Sequence, residues 1–229
     1  MIYGFIFSAG KETRFISDKP KALSTIGGEC LLDKNIEVLN KYCDKVFVVV
    51  STTNRHFFSK YETIVIDSGK GCGDAVMKAL QHIGFDNNDM CLISWGDCVI
   101  QKEVVEKTLA EYNKSFDIIV PCVFEEKPYV SFSQTQGYIN VKFKKYGEIC
   151  KCGYHDFGLF YGICSNILEY LELFSKKIKK EDGYKHKHGN EMQFLDVFNE
   201  TEIYGKLLII ENVKPLSFNN TKELYEIRL

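Results

Sequence analysis

The sequence predicts an α/β protein: a doubly wound, mostly parallel sheet, with a small β-rich lobe in its second half. Three observations predict it. Short apolar runs alternate with helical spacings through the first 123 residues, which is the rhythm of repeated βαβ units. Residues 46–50 read Val-Phe-Val-Val-Val, the unbroken apolar pattern of a strand covered on both faces, as in parallel sheets. After about residue 123 the rhythm changes, and short strand-like runs follow one another.

Taken in order, residues 2–7 form a buried strand, and a polar loop spans 8–21. A helix follows over 31–41, then strands over 46–50 and 63–66. Helical spacing returns at 74–83, with a strand at 91–94, a helix at 103–112 and a strand at 117–123. Residues 138–143, 148–152 and 158–163 read as short strands, the first two forming a hairpin across Lys144-Lys145-Tyr146-Gly147. A helix over 165–180 ends in lysines, which complement the partial negative charge of a helix C-terminus. A polar loop covers 182–190, a short helix 191–199, a strand 207–210, and a last helix starts at Thr221. The pair His186 and His188 sits in the polar loop; with no third ligand at zinc spacing it reads as solvated surface.

The chain has 229 residues, 45% hydrophobic and 26% charged, with no internal repeat and no Pro- or Gly-rich linker. One domain over 1–229 fits this length. Lys plus Arg is 29 against 31 Asp plus Glu. That balance lacks the electrostatic footprint of a nucleic-acid binder but leaves room for a local basic pocket. Nine cysteines lie scattered, mostly in apolar runs and never as C-x-x-C, which points to a reducing compartment. The N-terminal stretch has no basic region, and no apolar run approaches the length of a membrane span, so a cytoplasmic protein without membrane attachment is expected. The oligomeric state is not legible.

The chemistry concentrates where the first strand ends. Phe7-Ser8-Ala9-Gly10 gives small residues at a strand end, and Arg14 and Lys21 bring two cations into the loop that follows. Small residues let backbone N–H groups approach a phosphate or a base, and α/β sheets bind ligands at the C-terminal ends of their strands. The loop is neither a G-x-G-x-x-G nor a P-loop; it reads as a polyphosphate cradle or, equally, as a basic surface loop.

Phe7-Ser8-Ala9-Gly10-Lys11-Glu12-Thr13-Arg14, followed by Asp18-Lys19-Pro20-Lys21, resembles the N-terminal signature of the sugar-phosphate nucleotidyltransferases, which have a MobA-like NTP transferase fold. The spacing is most similar to that of the N-acetylglucosamine-1-phosphate uridylyltransferase domains. Gly71-Cys72-Gly73-Asp74-Ala75 resembles the family's G-T-G-x-A loop, Trp95-Gly96-Asp97 its Y-G-D, and Gly137-Tyr138 its G-Y. Asn190-Glu191 with Asp196 resembles N-E-Y-Y-x-T-D, and Phe218-Asn219-Asn220 the late V-N-N. The motifs stand in family order from residue 7 to about 226.

The resemblance implies a Rossmann-like nucleotidyltransferase fold with a nucleotide-binding half, 1–125, and an acceptor-binding half, 126–229. It implies catalytic roles for Arg14 and Lys21, and nucleotide contacts from Phe7, Ser8, Ala9, Gly10, Gly71, Cys72 and Gly73. Acceptor contacts are implied for Gly137, Asp156 and Glu191, and Mg²⁺ ligation for Asp97 and Asn219. The partners implied are a nucleoside triphosphate and a phosphorylated small molecule, giving an activated conjugate of the kind that feeds glycan or capsule synthesis. Physical chemistry agrees with such a set. A phosphate monoester is largely dianionic near neutral pH, its second pKa being about 6, so the reaction needs cations and positioning rather than a strong base.

Three departures shape the expectation. Glu12 replaces the second signature glycine, Ile66 and Gly69-Lys70 stand where uracil-reading glutamines are found, and Asp156 stands in place of an asparagine. CTP is therefore as open as UTP. An acceptor with hydroxyls, an amine or a quaternary ammonium suits Asp156. A cytidylyltransferase for a non-sugar phosphate, such as phosphocholine or a polyol phosphate, and a non-catalytic nucleotide-binding module are the alternatives. The bland readings are that Asp97 and Asn219 cap helices and that Gly71 and Gly73 serve turns.

Overall fold

The structure, a computed structural model, describes residues 1–10, 17–67, 70–112, 115–143, 151–181, 183–187, 189–218 and 220–227. Arg14, Glu12, His188, Asn219 and most of the expected strand at 148–152 lie outside the described residues.

Strands and helices alternate through the first half of the chain. Strand β1 (Ile2–Ser8) leads to the two-residue strands β2 (Thr25–Ile26) and β3 (Glu29–Cys30) and to helix α1 (Leu31–Leu39). Strands β4 (Lys45–Ser51) and β5 (Thr63–Ile66) follow, then helix α2 (Cys72–Ile83). Strand β6 (Met90–Trp95), helix α3 (Lys102–Glu111) and strand β7 (Ile118–Glu126) complete it. β1 pairs in parallel with β4 and β6, and β4 with β5. The central strands are buried along nearly their whole length, with Phe5, Ile6, Val49, Val50, Leu92 and Ile93 each essentially inaccessible. That burial on both faces is why their sequences read as continuous apolar runs.

The second half adds strands to the same sheet. β8 (Val130–Thr135) and β9 (Tyr138–Phe143) form a hairpin. β10 (Cys152–Asp156) and β11 (Leu159–Ile163) follow, then helix α4 (Cys164–Ile178). Two-residue strands β12 (Lys179–Lys180) and β13 (Gly183–Tyr184) pair with each other. Helix α5 (Val197–Glu200), strand β14 (Gly205–Ile209) and helix α6 (Thr221–Glu226) come last. Among the described residues the main sheet has 10 strands, ordered β5-β4-β1-β6-β11-β7-β10-β8-β9, with β14 parallel to β7. β11 runs antiparallel between β6 and β7, so the sheet is mixed rather than purely parallel.

A strand that the sequence reading did not expect, β8, pairs with β9, while the expected hairpin across residues 144–147 lies outside the described residues. Residues 138–143 pair with Val130–Thr135, in register Thr135↔Tyr138, across a turn at Gln136-Gly137. Both turn residues have positive φ, 51° and 87°, as tight hairpin turns require. The helix expected at 165–180 stops at Ile178, and its lysine-rich end becomes β12. His186 is also not solvated. Its ring is buried, with Nδ1 3.2 Å from Asp196 and Nε2 3.2 Å from Glu200. Helix α6 is capped by Asn220, whose side chain accepts from the Glu223 N–H at 3.0 Å while its amide donates to the Glu223 carboxylate at 2.6 Å, a two-bond variant of the capping box.

Two apolar layers hold the sheet. One packs α2, α4 and α5 against Phe5, Phe7, Val120, Phe160 and their neighbours. The other packs α1 and α3 against Ile6, Val48, Leu92 and Leu159. Among the described residues, no helix is long and apolar enough to cross a membrane.

Candidate active site

Three loop segments converge at the C-terminal ends of β1 and β6. The first carries Ser8, Ala9 and Gly10. Ser8 is buried, and its hydroxyl has no hydrogen-bond partner among the described residues. Its carbonyl accepts from the Asn54 side-chain amide at 2.7 Å, while Asn54 Oδ1 accepts from the Ser51 N–H at 2.8 Å. One asparagine thus ties the ends of β1 and β4 together and fixes the direction in which the chain leaves the sheet.

The second segment is Trp95-Gly96-Asp97. Gly96 N–H donates to the Phe7 carbonyl at 2.9 Å. A Cβ on Gly96 would lie 2.9 Å from that carbonyl oxygen and 3.2 Å from Ala22 Cβ, so only glycine lets this loop close on β1 and on the turn that carries Lys21. Trp95 stands edge-on to Phe7 and Phe194 and tilted against Phe160, with ring centroids 5.8, 5.6 and 5.7 Å apart. Lys21 sits in a single 3-10 turn, Lys21–Leu23. Its ammonium lies 3.4 Å from Asp97 Oδ2, the lysine side chain 9% exposed and the aspartate 31%. A buried ammonium needs a carboxylate beside it, and a partly open carboxylate keeps an oxygen available to a ligand. Cys98 adds a thiol 3.8 Å from Asp97 Oδ1; burial first, then the two aspartates 97 and 156, push that thiol well above its ordinary range.

The loop after Asp97 is itself held in place. Asn35, fully buried on α1, donates to the Cys98 carbonyl at 2.8 Å and accepts from the Ile100 N–H at 2.9 Å. Residues 216–218 run alongside: Val99 N–H donates to Leu216 O at 2.8 Å and Phe218 N–H to Asp97 O at 3.2 Å. The stretch immediately before Asn219 is thus laid against Asp97.

The third segment joins Gly71-Cys72-Gly73 to residues 190–194. Gly73 N–H donates to the Met192 carbonyl at 2.8 Å, and Met192 N–H to Lys70 O at 2.9 Å. Cys72 Sγ lies 3.3 Å from Gln193 Oε1 and accepts from Phe194 N–H at 3.2 Å. Burial raises the Cys72 thiol to about 11, so it is a packing group. Glu191 accepts from the Gln193 amide at 3.1 Å. The glycines at 71 and 73 are there because the Met192 backbone passes over them. Gly71 also has a φ of 97°, which favours glycine by itself.

Asp156 ends β10, and its Oδ1 accepts from the Gly158 N–H at 2.7 Å. Gly158 O in turn accepts from the Trp95 N–H at 3.3 Å, which sets Asp156 beside the Asp97 loop. Burial raises its carboxyl above the ordinary range. The sign follows from linkage. A carboxyl raised in the fold disfavours the native state where it is ionised; this cost is full above the folded value, fades as pH falls toward the unfolded value and is gone below it. Asp156→Asn, which keeps the acceptor for Gly158, is therefore expected to raise Tm by a few degrees at pH 7. A thermal melt series should show the gain shrinking toward pH 3.

Gly137 is not brought to this site. Its carbonyl accepts from Gly205 N–H at 2.9 Å. Gly205 is in register with Ile118, Ile118 with Gly162, and Gly162 with Cys91 near the start of β6. The hairpin tip therefore lies at the end of the sheet opposite Asp97. Its glycine serves a φ of 87° and the close approach of the Tyr204 ring, which a Cβ at this position would overlap. Sequence reading also passed over Asn35 and Asn54. Asn35 had a visible signal: a polar residue between Leu31 and Leu39 on the apolar stripe of a helix.

The comparisons with known proteins fit this geometry. Residues 4–172 match the model of the MobA-like NTP transferase domain. The bifunctional protein GlmU of Buchnera aphidicola subsp. Schizaphis graminum is 30% identical over 153 residues, covering 64% of this chain and 31% of that protein. The chain spans about a quarter to a third of the length of the first curated relatives it matches. Among solved structures, a putative glucose-1-phosphate thymidylyltransferase from Bacillus anthracis in complex with a sucrose superposes with TM-score 0.75 at 13% identity, over 99% of this chain and 93% of that one. The inositol-1-phosphate CTP transferase from T. maritima superposes with TM-score 0.72 at 16% identity, over 96% and 90%. At such identities the structures speak for the fold alone. The family match covers well over half of the chain, and the segments at Ser8, Gly71 and Asp97 within it meet at one end of the sheet: the chain belongs to the MobA-like NTP transferase domain family, a family of nucleotidyltransferases.

Proposed function

We propose that this protein couples a nucleoside triphosphate, CTP or UTP, to a phosphorylated sugar or alcohol and releases pyrophosphate. The observation that carries the reading is the Lys21–Asp97 pair, 3.4 Å apart at the joined C-terminal ends of β1 and β6. A phosphate oxygen of the acceptor attacks the α-phosphorus. One P–O bond forms, the bond to the pyrophosphate leaving group breaks, and no proton need move if the acceptor is dianionic. Ser8, Ala9 and Gly10 present backbone at the end of β1, and Lys21, with Arg14, supplies positive charge for the triphosphate. The segment around Gly71, Cys72 and Gly73 lies against the nucleotide, and Glu191 reaches the acceptor side through the strap over it.

A carboxylate with an open oxygen is a hard donor of the type Mg²⁺ takes. Asp97 fits this role, and Asn219 is proposed as the second ligand. The ion would neutralise charge on the phosphates. The division into a nucleotide half, 1–125, and an acceptor half, 126–229, is part of the same proposal, as is a cytoplasmic setting.

A pyrophosphate-release screen tests it. CTP, UTP, ATP and GTP are crossed with sugar-1-phosphates, polyol phosphates and amino-alcohol phosphates, with and without Mg²⁺. Release that requires one triphosphate, one acceptor and the ion is expected. Release independent of the acceptor would overturn the reading.

A further inference from the structure

Four aspartates are buried among the described residues: 74, 89, 156 and 196. Three face a positively charged or imidazole group. Asp74 lies 2.9 Å from the Lys78 ammonium, Asp89 binds the N-terminal ammonium, and Asp196 lies 3.2 Å from His186. Asp156 is the exception: its hydrogen bond is to a backbone N–H, and no described ammonium or guanidinium pairs with it. His155, its neighbour, points to the other face of the strand, where it meets Glu125 at 2.9 Å; its charge offsets the burial of Asp156 only in part, and the carboxyl stays above its ordinary range. A carboxylate removed from water without a cation is costly, and this one lies beside the loop that carries Asp97.

The strand register shows what accompanies it. Asp156 pairs with Cys122 and Tyr154 with Phe124 on β7, while Tyr154 pairs with Phe132 on β8. Paired residues and residues two apart share a face, so the Asp156 carboxylate and the Tyr154 and Phe124 rings form one row. The pairs are ~7 Å apart along the strand. Phe124 is 57% exposed, and its ring meets that of Tyr154 edge-to-face at 5.9 Å. The row thus runs from a buried carboxylate beside the Asp97 loop to an open aromatic rim. Between Asp156 and the two rings the row holds only Cys122 and Phe132, which are apolar and buried; the exposed pair Cys152 and Glu126 continues it at the outer end. A polyol needs several hydrogen-bonding partners, and this face supplies few. A compact cation needs one carboxylate and aromatic faces, and this face supplies both.

We propose that the row is the acceptor's head-group site and that the acceptor is the phosphate monoester of an amino alcohol or of a quaternary-ammonium alcohol. The cationic nitrogen sits on Asp156 and against Phe124 and Tyr154, and the phosphate is directed to Asp97 and Lys21. The inference rests on the nucleotidyl-transfer reading for the placement of the phosphate. It rests on the row alone for the choice of a cation.

Calorimetric titration of the full chain with phosphocholine, glycerol 3-phosphate and glucose 1-phosphate, each with Mg²⁺, tests the site directly. Phosphocholine is expected to bind at least tenfold more tightly than either compound without a cationic head group. Asp156→Asn is expected to weaken phosphocholine about 10–100-fold, the range for a charged hydrogen-bond partner. Phe124→Ala removes an exposed ring that the fold does not need, and should weaken it about 3–10-fold. Equal binding of the three compounds, or phosphocholine binding insensitive to both substitutions, overturns the inference. Pyrophosphate release separates the two readings. Release with CTP or UTP and phosphocholine, lost in Asp156→Asn, supports both. Asp156-dependent binding without release with any acceptor keeps the site and overturns the transferase reading. Release only with acceptors that lack a cationic head group keeps the reaction class and overturns the site.

Discussion

If the proposed nucleotidyl transfer holds, Asp97→Ala is expected to lose metal-dependent pyrophosphate release, with kcat lower by about 10²–10³-fold, the range for removing one electrostatic stabiliser of a transition state. The fold survives the change, because the side chain is only partly buried and the loop is held by other groups. Gly96 N–H, Cys98 O, Val99 N–H and Ile100 N–H are all bonded to β1, Asn35 and residues 216–218, and none of these bonds uses the Asp97 carboxylate. Its removal does take a carboxylate away from the buried Lys21 ammonium, so a modest drop in Tm accompanies the loss. Asp97→Asn separates the two effects. It keeps the shape and an oxygen near Lys21 but removes the negative charge that an ion requires, so turnover stays low while Tm recovers part of the drop. The measurement is steady-state pyrophosphate release across a Mg²⁺ titration, alongside thermal melts. Near-normal rates for both variants at saturating Mg²⁺ would remove Asp97 from the reaction.

The parallel half of the fold was legible because burial on both faces writes itself as apolar runs: the strand expected at 46–50 is Lys45–Ser51, and that at 91–94 is Met90–Trp95. The antiparallel half was harder. Val130–Thr135 reads Val-Ser-Phe-Ser-Gln-Thr and exposes its last three residues, so its apolar signal is confined to its buried start. It was therefore missed as the strand that pairs with Tyr138–Phe143. Gly137 was placed by motif resemblance instead. A glycine-tyrosine pair looks like a site motif in one dimension, whereas the strand register puts it at the tip of a hairpin on the far side of the sheet. Lys21 and Asp97 are separated by 76 positions and still lie in contact. The ordered motifs named both residues, but only the parallel register of β1 with β6 says why they meet. Asn54 carried no signal at all, since its role depends on the carbonyl of Ser8, 46 residues away.

Gly71→Ala is expected to have the largest effect on stability of any glycine substitution at the site. Gly71 has φ 97°, and a Cβ there would overlap the Met192 carbonyl oxygen and lie 2.9 Å from the Met192 amide nitrogen. Two costs therefore add. A left-handed backbone costs a non-glycine residue about 1–2 kcal/mol, and overpacking costs about 1–3 kcal/mol. The obstructing atoms are backbone, which cannot swing aside as a flexible side chain can. Together, about 2–5 kcal/mol is a large part of the ~5–15 kcal/mol that stabilises a domain, and for a chain of this length it lowers Tm by roughly 5–15 °C. The strain has one direction of relief, which is displacement of residues 190–194. That displacement would break the Gly73–Met192 bond and pull Phe194 away from Cys72 and from the Trp95 ring. The folded fraction of Gly71→Ala should thus also show a raised KM for the triphosphate. Gly137→Ala provides the contrast. It too has a positive φ and a crowded Cβ, but the crowding comes from the Tyr204 ring at the opposite end of the sheet. It should lower Tm while leaving the triphosphate KM unchanged. If both variants lose stability and only Gly71→Ala loses nucleotide affinity, the strap over Gly71 and Gly73 is part of the nucleotide site. If the KM values move together, the strap is only packing.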